Sequence, residues 1–253
     1  MIIEFVGLMG AGKTTLHRQA VERLAKLDRR CWTPKMVASS CGAGPDSAQR
    51  IDGVLSSAIL ARSRRLAFRL KASWWSRQLV SLAVQQLCFC RQPHRDRLRR
   101  FRWVLTALGN HWTARLKVPR EDIVLFDEGL VQRAITVFVH GKKSVDVSRL
   151  RCYPRAIPLP DILIYLRVDP EVARARVLRR PSSLARRFRS LSERELRDTF
   201  TDTALSLDAL VTEIRETAKT VKVVAIDAND IQQAMTALDQ EIMTVTGARR
   251  DNA

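Results

Sequence analysis

The chain has little with which to build a metal cage or a disulfide framework. Its 253 residues include five cysteines and four histidines. The cysteines are Cys31, Cys41, Cys88, Cys90 and Cys152, an odd number without a CxxC pair. They read as reduced thiols in a cytoplasmic setting, and no histidine stands at zinc-ligand spacing from a cysteine. No run approaches the roughly 18 apolar residues needed to cross a bilayer. The opening MIIEFVGLMGAGKTT contains Glu4 and Lys13, which do not suit a secretory leader. Internal repeats and low-complexity tracts are absent. With 46% hydrophobic and 28% charged residues, what remains is an ordinary folded globular chain, expected as a single domain over 1–253.

Acidic residues are scarce in one place only. Between residues 60 and 120, fifteen Lys and Arg face a single acid, Asp96, so this block carries +14 of the net +18. The flanks 1–59 and 121–253 are close to neutral, at +3 and +1. A confined excess of that size attracts something anionic: a phosphorylated small molecule, a nucleic acid or an acidic membrane surface.

Hydrophobic patterning predicts alternating strands and helices. Residues 1–6 form a buried strand ended by Gly7, and helical spacing follows from Thr14 to about Leu27. A second strand is expected at 31–38, at an edge or bent because of Pro34. The stretch 39–47 is a glycine-rich loop. Helices are expected at 51–71, 73–91 and 95–108, broken near Pro93 and Gly109. These make a basic helical insert over 51–120 that contains Trp74, Trp75, Trp103 and Trp112. The strand 123–127 ends in a carboxylate and precedes a helix at 129–140. A proline-rich connector spans 152–160, and the strand 161–167 leads into another helix. An arginine-rich loop lies within 178–190, read as a lid. Ser192 is an N-cap for a helix to about residue 217, and a last strand, 221–227, precedes a last helix, 230–244. Such alternation predicts a three-layer α/β fold with a parallel sheet.

The strongest motif is Gly7-Leu8-Met9-Gly10-Ala11-Gly12-Lys13-Thr14, which satisfies GxxxxGK[ST] between a strand and a helix. Glycines allow several backbone N–H groups to converge on one phosphate, and the helix that follows adds its positive end. Lys13 is expected to reach the β- and γ-phosphates of ATP, Thr14 to bind Mg²⁺, and Thr15 to complete the cradle. Asp127 and Glu128 end the next buried strand, where a carboxylate lies beside such a cradle. Asp127 is expected to hold Mg²⁺ directly or through water, and Glu128 to polarise the attacking group; capping of the next helix is the plain alternative. Arginines such as Arg174, Arg176, Arg179, Arg180, Arg186, Arg187 and Arg189 can clamp the transferring phosphoryl group or stack on the base, and a solvated helix face is the plain reading for some; Arg179 and Arg180 are the pair expected to act.

These pieces, in this order, resemble the thymidylate kinase-like group of P-loop nucleoside and nucleotide kinases. GLMGAGKTT is similar to that group's opening, PDILIYLRVDPEVARARVLRR to its strand and helix leading to the lid, and VKVVAIDAND to its final strand and adenine-side loop. The resemblance covers 1–30 and 121–244. It implies a P-loop fold and a phosphotransferase that uses ATP and Mg²⁺. There are departures. Glu128 follows Asp127 where the group carries an arginine. The loop 39–47 lacks the group's arginine-proline-glycine pattern, and the second-strand region offers no glutamate base. The fold and ATP site carry over, whereas the thymidylate substrate does not.

In the basic segment, Arg62, Arg64, Arg65, Arg69, Lys71 and Arg77 alternate with apolar and aromatic residues. Arg91, Arg95, Arg97, Arg99, Arg100 and Arg102 stand beside Phe101 and Trp103. A clamp on an anionic acceptor, a phospholipid-facing surface and a solvated face all fit that pattern. No named nucleic-acid motif is present, although a nucleic-acid surface stays open, as does pairing with a second copy of the chain. The sequence therefore points to a kinase acting on an anionic nucleotide-, sugar- or glycolipid-like acceptor. The alternative is a nucleotide-dependent switch that docks through its basic helices on the inner membrane surface or a polyanion. No NKxD motif is present to suggest GTP.

Overall fold

The computed structural model of the chain describes residues 1–40, 74, 76–88, 94–139, 145–179, 188 and 191–247. Five strands form one sheet: β1 (Ile2–Gly7), β2 (Cys31–Trp32), β3 (Ile123–Phe126), β4 (Ile162–Arg167) and β5 (Lys222–Asp227). All neighbours pair in parallel, in the order β2-β3-β1-β4-β5. The described helices are α1 (Lys13–Lys26), α2 (Pro34–Ser40), α3 (Arg77–Cys88), α4 (His94–Lys117), α5 (Leu130–Phe138), α6 (Val147–Ala156), α7 (Pro170–Leu178), α8 (Glu193–Thr217) and α9 (Ile231–Gly247).

Strand alternation sorts the apolar residues onto two faces. On one face Ile3, Ile123, Ile162, Ile164 and Val224 meet Leu24 of α1 and Ile242 and Val245 of α9. On the other, Ile2, Val124 and Phe126 meet Val37 of α2 and Ala114 of α4, with Val118 just beyond it. Both faces are covered, which explains why β1, β3 and β4 read as nearly continuous apolar runs. The expected α/β class with a parallel sheet is what forms. α4 packs directly on the sheet, so the described part of the basic block belongs to the helical layer.

Several local expectations are corrected. The second strand stops at Trp32, because Pro34 starts α2; a missing N–H and fixed φ suit the first helical position. Gly109 does not break α4. It is buried inside that helix, which runs on to Lys117. Part of the expected connector at 152–160 is instead α6, capped by Asp146, whose side chain accepts Arg149 N–H. Pro154 sits two residues from its end and removes one helical hydrogen bond, while Leu150, Tyr153 and Pro154 are all buried. Ser192 does cap α8, in a reciprocal box with Glu195. The helix expected at 51–71, nearly all of the loop 39–47 and most of the lid lie outside the described residues.

The chain leaves β1 toward β2 and leaves β4 toward β5. A crevice therefore opens at the carboxyl ends of these adjacent strands. None of the described helices is long and apolar enough to cross a membrane.

Candidate active site

Residues 7–14 connect β1 to α1 at that crevice. Gly10 and Gly12 have φ of 89° and 88°, the left-handed region that side chains avoid. Packing adds a second reason. A Cβ on Gly10 would lie 2.4 Å from the Ala173 carbonyl of α7, and one on Gly12 would lie 2.6 Å from Ile231. Glycine thus lets the loop both turn and press against the helices behind it.

Lys13 begins α1 and is nearly buried. Its Nζ donates to the Gly7 carbonyl at 2.8 Å and the Leu8 carbonyl at 2.9 Å, which holds the ammonium against the loop. Burial pushes it down to about 8, opposed by the negative charges of Glu128 and Asp127 and reinforced by Arg133. A cation so poorly solvated gains strongly from a phosphate arriving beside it.

A cleft of about 700 Å³ runs from this loop. At one end stand Leu8, Met9, Gly10, Gly12, Lys13, Thr14 and Thr15. At the other stand Arg99, Arg100 and Trp103 of α4, with Gln132 and Arg133 of α5. Thr199, Phe200 and Thr203 of α8, together with Phe188, close a third side. Arg99 lies 5.2 Å and Arg133 5.8 Å from the Trp103 ring centre, so two guanidiniums share one indole. Each also holds a carboxylate: Arg99 pairs with Asp96 at 2.8 Å, and Arg133 with Glu128 at 3.0 Å.

The expected residues fall in different places. Lys13, Thr14, Thr15 and Glu128 line the cleft. Asp127 is half-buried beside it, near enough for Lys13 to feel its charge. Arg179 is exposed at the C-cap of α7 and does not line the cleft; Arg176, one turn earlier, does. Arg176 donates to the Ala228 and Asn229 carbonyls at 2.7 and 2.6 Å, which ties α7 to the loop after β5. Arg174 is held by Glu171 and Glu193. Arg180, Arg186, Arg187 and Arg189 lie outside the described residues. In the basic block, Arg99 and Arg100 face the cleft. Arg100 is 2% exposed and donates to the Thr136 carbonyl, whereas Arg102 is exposed and does not line the cleft.

Sequence reasoning missed Arg133 and Gln132. Their signal was position: a helix begun at Leu130 turns residues 132 and 133 back toward the preceding loop.

The donors suit a nucleotide with Mg²⁺. The loop offers backbone N–H groups, a buried ammonium and the Thr14 hydroxyl, and Asp127 adds a hard carboxylate. Among the described residues no three His, Cys, Asp or Glu side chains converge on a metal position.

No protein-family profile and no curated protein matches the chain. Among solved structures it is similar to deoxyadenosine kinase from M. mycoides. The form with bound dCTP is 11% identical with a TM-score of 0.47, covering 96% of this chain and 100% of that one. The dATP form is 15% identical with a TM-score of 0.48, over 96% and 99%. The form with the products dCMP and dCDP is 14% identical with a TM-score of 0.45, over 97% and 100%. At those values the likeness adds nothing to what the sheet and the loop show by themselves.

Proposed function

We propose that the chain is an ATP- and Mg²⁺-dependent phosphotransferase whose acceptor is an anionic small molecule. One observation carries this. A phosphate-type loop with a buried lysine faces a wall of arginines and a tryptophan across a single cleft. A switch that only hydrolyses nucleotide has no need of the second wall.

The loop N–H groups and Lys13 hold the β- and γ-phosphates, and Arg99 and Arg133, over Trp103, hold the anionic part of the acceptor. Mg²⁺, bound by Thr14, Asp127 and phosphate oxygens, would neutralise charge on the phosphates. An acceptor oxygen forms a bond to the γ-phosphorus while the bond to the β-phosphate oxygen breaks, and its electron pair leaves with ADP. A hydroxyl acceptor gives its proton to Glu128, and an ionised phosphate acceptor has none to give. Glu128 is paired with Arg133, so the group beside the acceptor oxygen and the group on the acceptor's charge are held together.

The test is a screen with γ-labelled ATP over nucleosides, nucleotides, sugars, sugar phosphates and lipid-linked glycans. Label should move to one anionic class with little hydrolysis in its absence. Arg99→Gln with Arg133→Gln should raise the KM for that acceptor far more than the KM for ATP. Equal hydrolysis with and without every acceptor would contradict the kinase and leave the switch.

A further inference from the structure

β1 is the central strand of the sheet, yet its third residue, Glu4, is a glutamate. Glu4 is 0% exposed and pairs in register with Phe126 and Leu163 on the two sides. A leucine would fill that position without the cost of desolvating a carboxyl. Its surroundings show what the carboxyl does. The first turn of α5 begins at Gly129, which has no side chain to cap the free N–H groups there. Glu4 Oε1 accepts the Gln132 N–H at 2.9 Å, so a neighbouring strand does the work of a cap. Gly129 makes room for it, since a Cβ there would lie 2.4 Å from the Glu4 carboxyl carbon. The Gln132 side chain then reaches on, and its Oε1 accepts the N–H of Gly7 at 2.9 Å. Gly7 is the first residue of the phosphate loop.

We infer that Glu4 is a positioning residue, which acts through Gln132 to lock the acceptor-side helix α5 to the phosphate loop. Glu4 is sealed from the cleft and touches no ligand. Its effect on nucleotide binding comes only from where it holds α5, the helix whose Gln132 fixes Gly7 and whose Arg133 sits over Trp103. Burial pushes the carboxyl up to about 8, against the opposing pull of the α5 N–H groups and of Arg133; Tyr153 is the other titratable group facing it. Burial thus favours the neutral carboxyl, and glutamine, which keeps the accepting Oε1, is its close substitute.

The inference rests on the proposed function only in taking the loop as a phosphate binder. The experiment measures the Kd for MgATP by calorimetry at pH 7, well below the melting temperature, together with hydrogen exchange at the Gly7 amide. Glu4→Leu and Gln132→Ala should each weaken MgATP about 3- to 10-fold, the value of one hydrogen bond, and speed Gly7 exchange. The double variant should be no weaker than the worse single, because both act along one path. Glu4→Gln should stay within about twofold of wild type in both measurements. Should Glu4→Leu not fold, Glu4→Asp, whose carboxyl is withdrawn by one methylene, is held to the same outcomes. Unchanged Kd and Gly7 exchange in a merely less stable Glu4 variant would overturn the inference, as would single effects that multiply in the double. If wild type fails to bind MgATP, the proposed function falls, and Gly7 exchange still decides the role of Glu4.

Discussion

His111 on α4 is buried, lies against the Phe126 ring of β3 at 6.4 Å, and has no hydrogen-bond partner on either ring nitrogen among the described residues. Burial pushes it down to about 3, helped by the nearby Arg115 and opposed by Asp161. The unfolded chain protonates this group at its ordinary value of 6.5, and the folded chain does not until about 3. Between those values the unfolded state binds more protons, so stability is retained above 6.5 and lost as pH falls through the window. Each pH unit inside it costs up to about 1.4 kcal/mol. At pH 5 the loss attributable to His111 is about 2 kcal/mol, or on the order of 4–8 °C in melting temperature for a chain of this size. His111→Leu removes the titration and two unpartnered polar atoms. It should be more stable than wild type by about 1–3 kcal/mol at pH 7.5 and by about 2 kcal/mol more at pH 5. Urea unfolding of both proteins from pH 8 to pH 5 reads this directly, since all other groups titrate in both. Parallel stability curves would refute the reasoning, because the imidazole would then be reached by water or a partner.

Gly10→Ala forces a left-handed φ on alanine and drives its Cβ into the Ala173 carbonyl. It should cost about 2 kcal/mol or more and weaken MgATP, whereas unchanged melting and binding would deny the close packing of the loop on α7. Asp127→Asn should lower turnover far more than nucleotide affinity, since a metal matters most while charge moves between oxygens. Equal loss of both, with a lower melting temperature, would make Asp127 a cap.

The phosphate loop was legible because its signal is local: eight consecutive residues, a strand before and a helix after. Most strands and helices were legible for the same reason, each being announced by its own periodicity. What failed was local punctuation read without its tertiary setting. Pro34 looked like a bend in a strand and is the first residue of α2. Gly109 looked like a break and is a buried residue inside α4, and Pro154 looked like a connector and sits within α6. The site was half legible. Lys13, Thr14 and Asp127 are adjacent to features that sequence displays. The link Glu4–Gln132–Gly7 joins residues more than 120 positions apart, and nothing along the chain marks it. Arg133 meets Trp103 only because α4 and α5 lie side by side. Of the arginine pair expected to close the site, Arg180 lies outside the described residues and Arg179 stands at the C-cap of α7. Helical phase puts Arg176 toward the cleft and Arg179 outside it.

The central claim is that residues 7–14 hold the phosphates of ATP with Lys13 as their buried cation. Calorimetric titration of MgATP into wild type and Lys13→Ala tests it most directly. Lys13→Ala removes the ammonium and leaves the backbone loop, so it should keep its melting temperature to within a few degrees. Its affinity for MgATP should fall by about tenfold or more, as expected for a charge-assisted contact. Equal affinity in the two folded proteins would contradict the account.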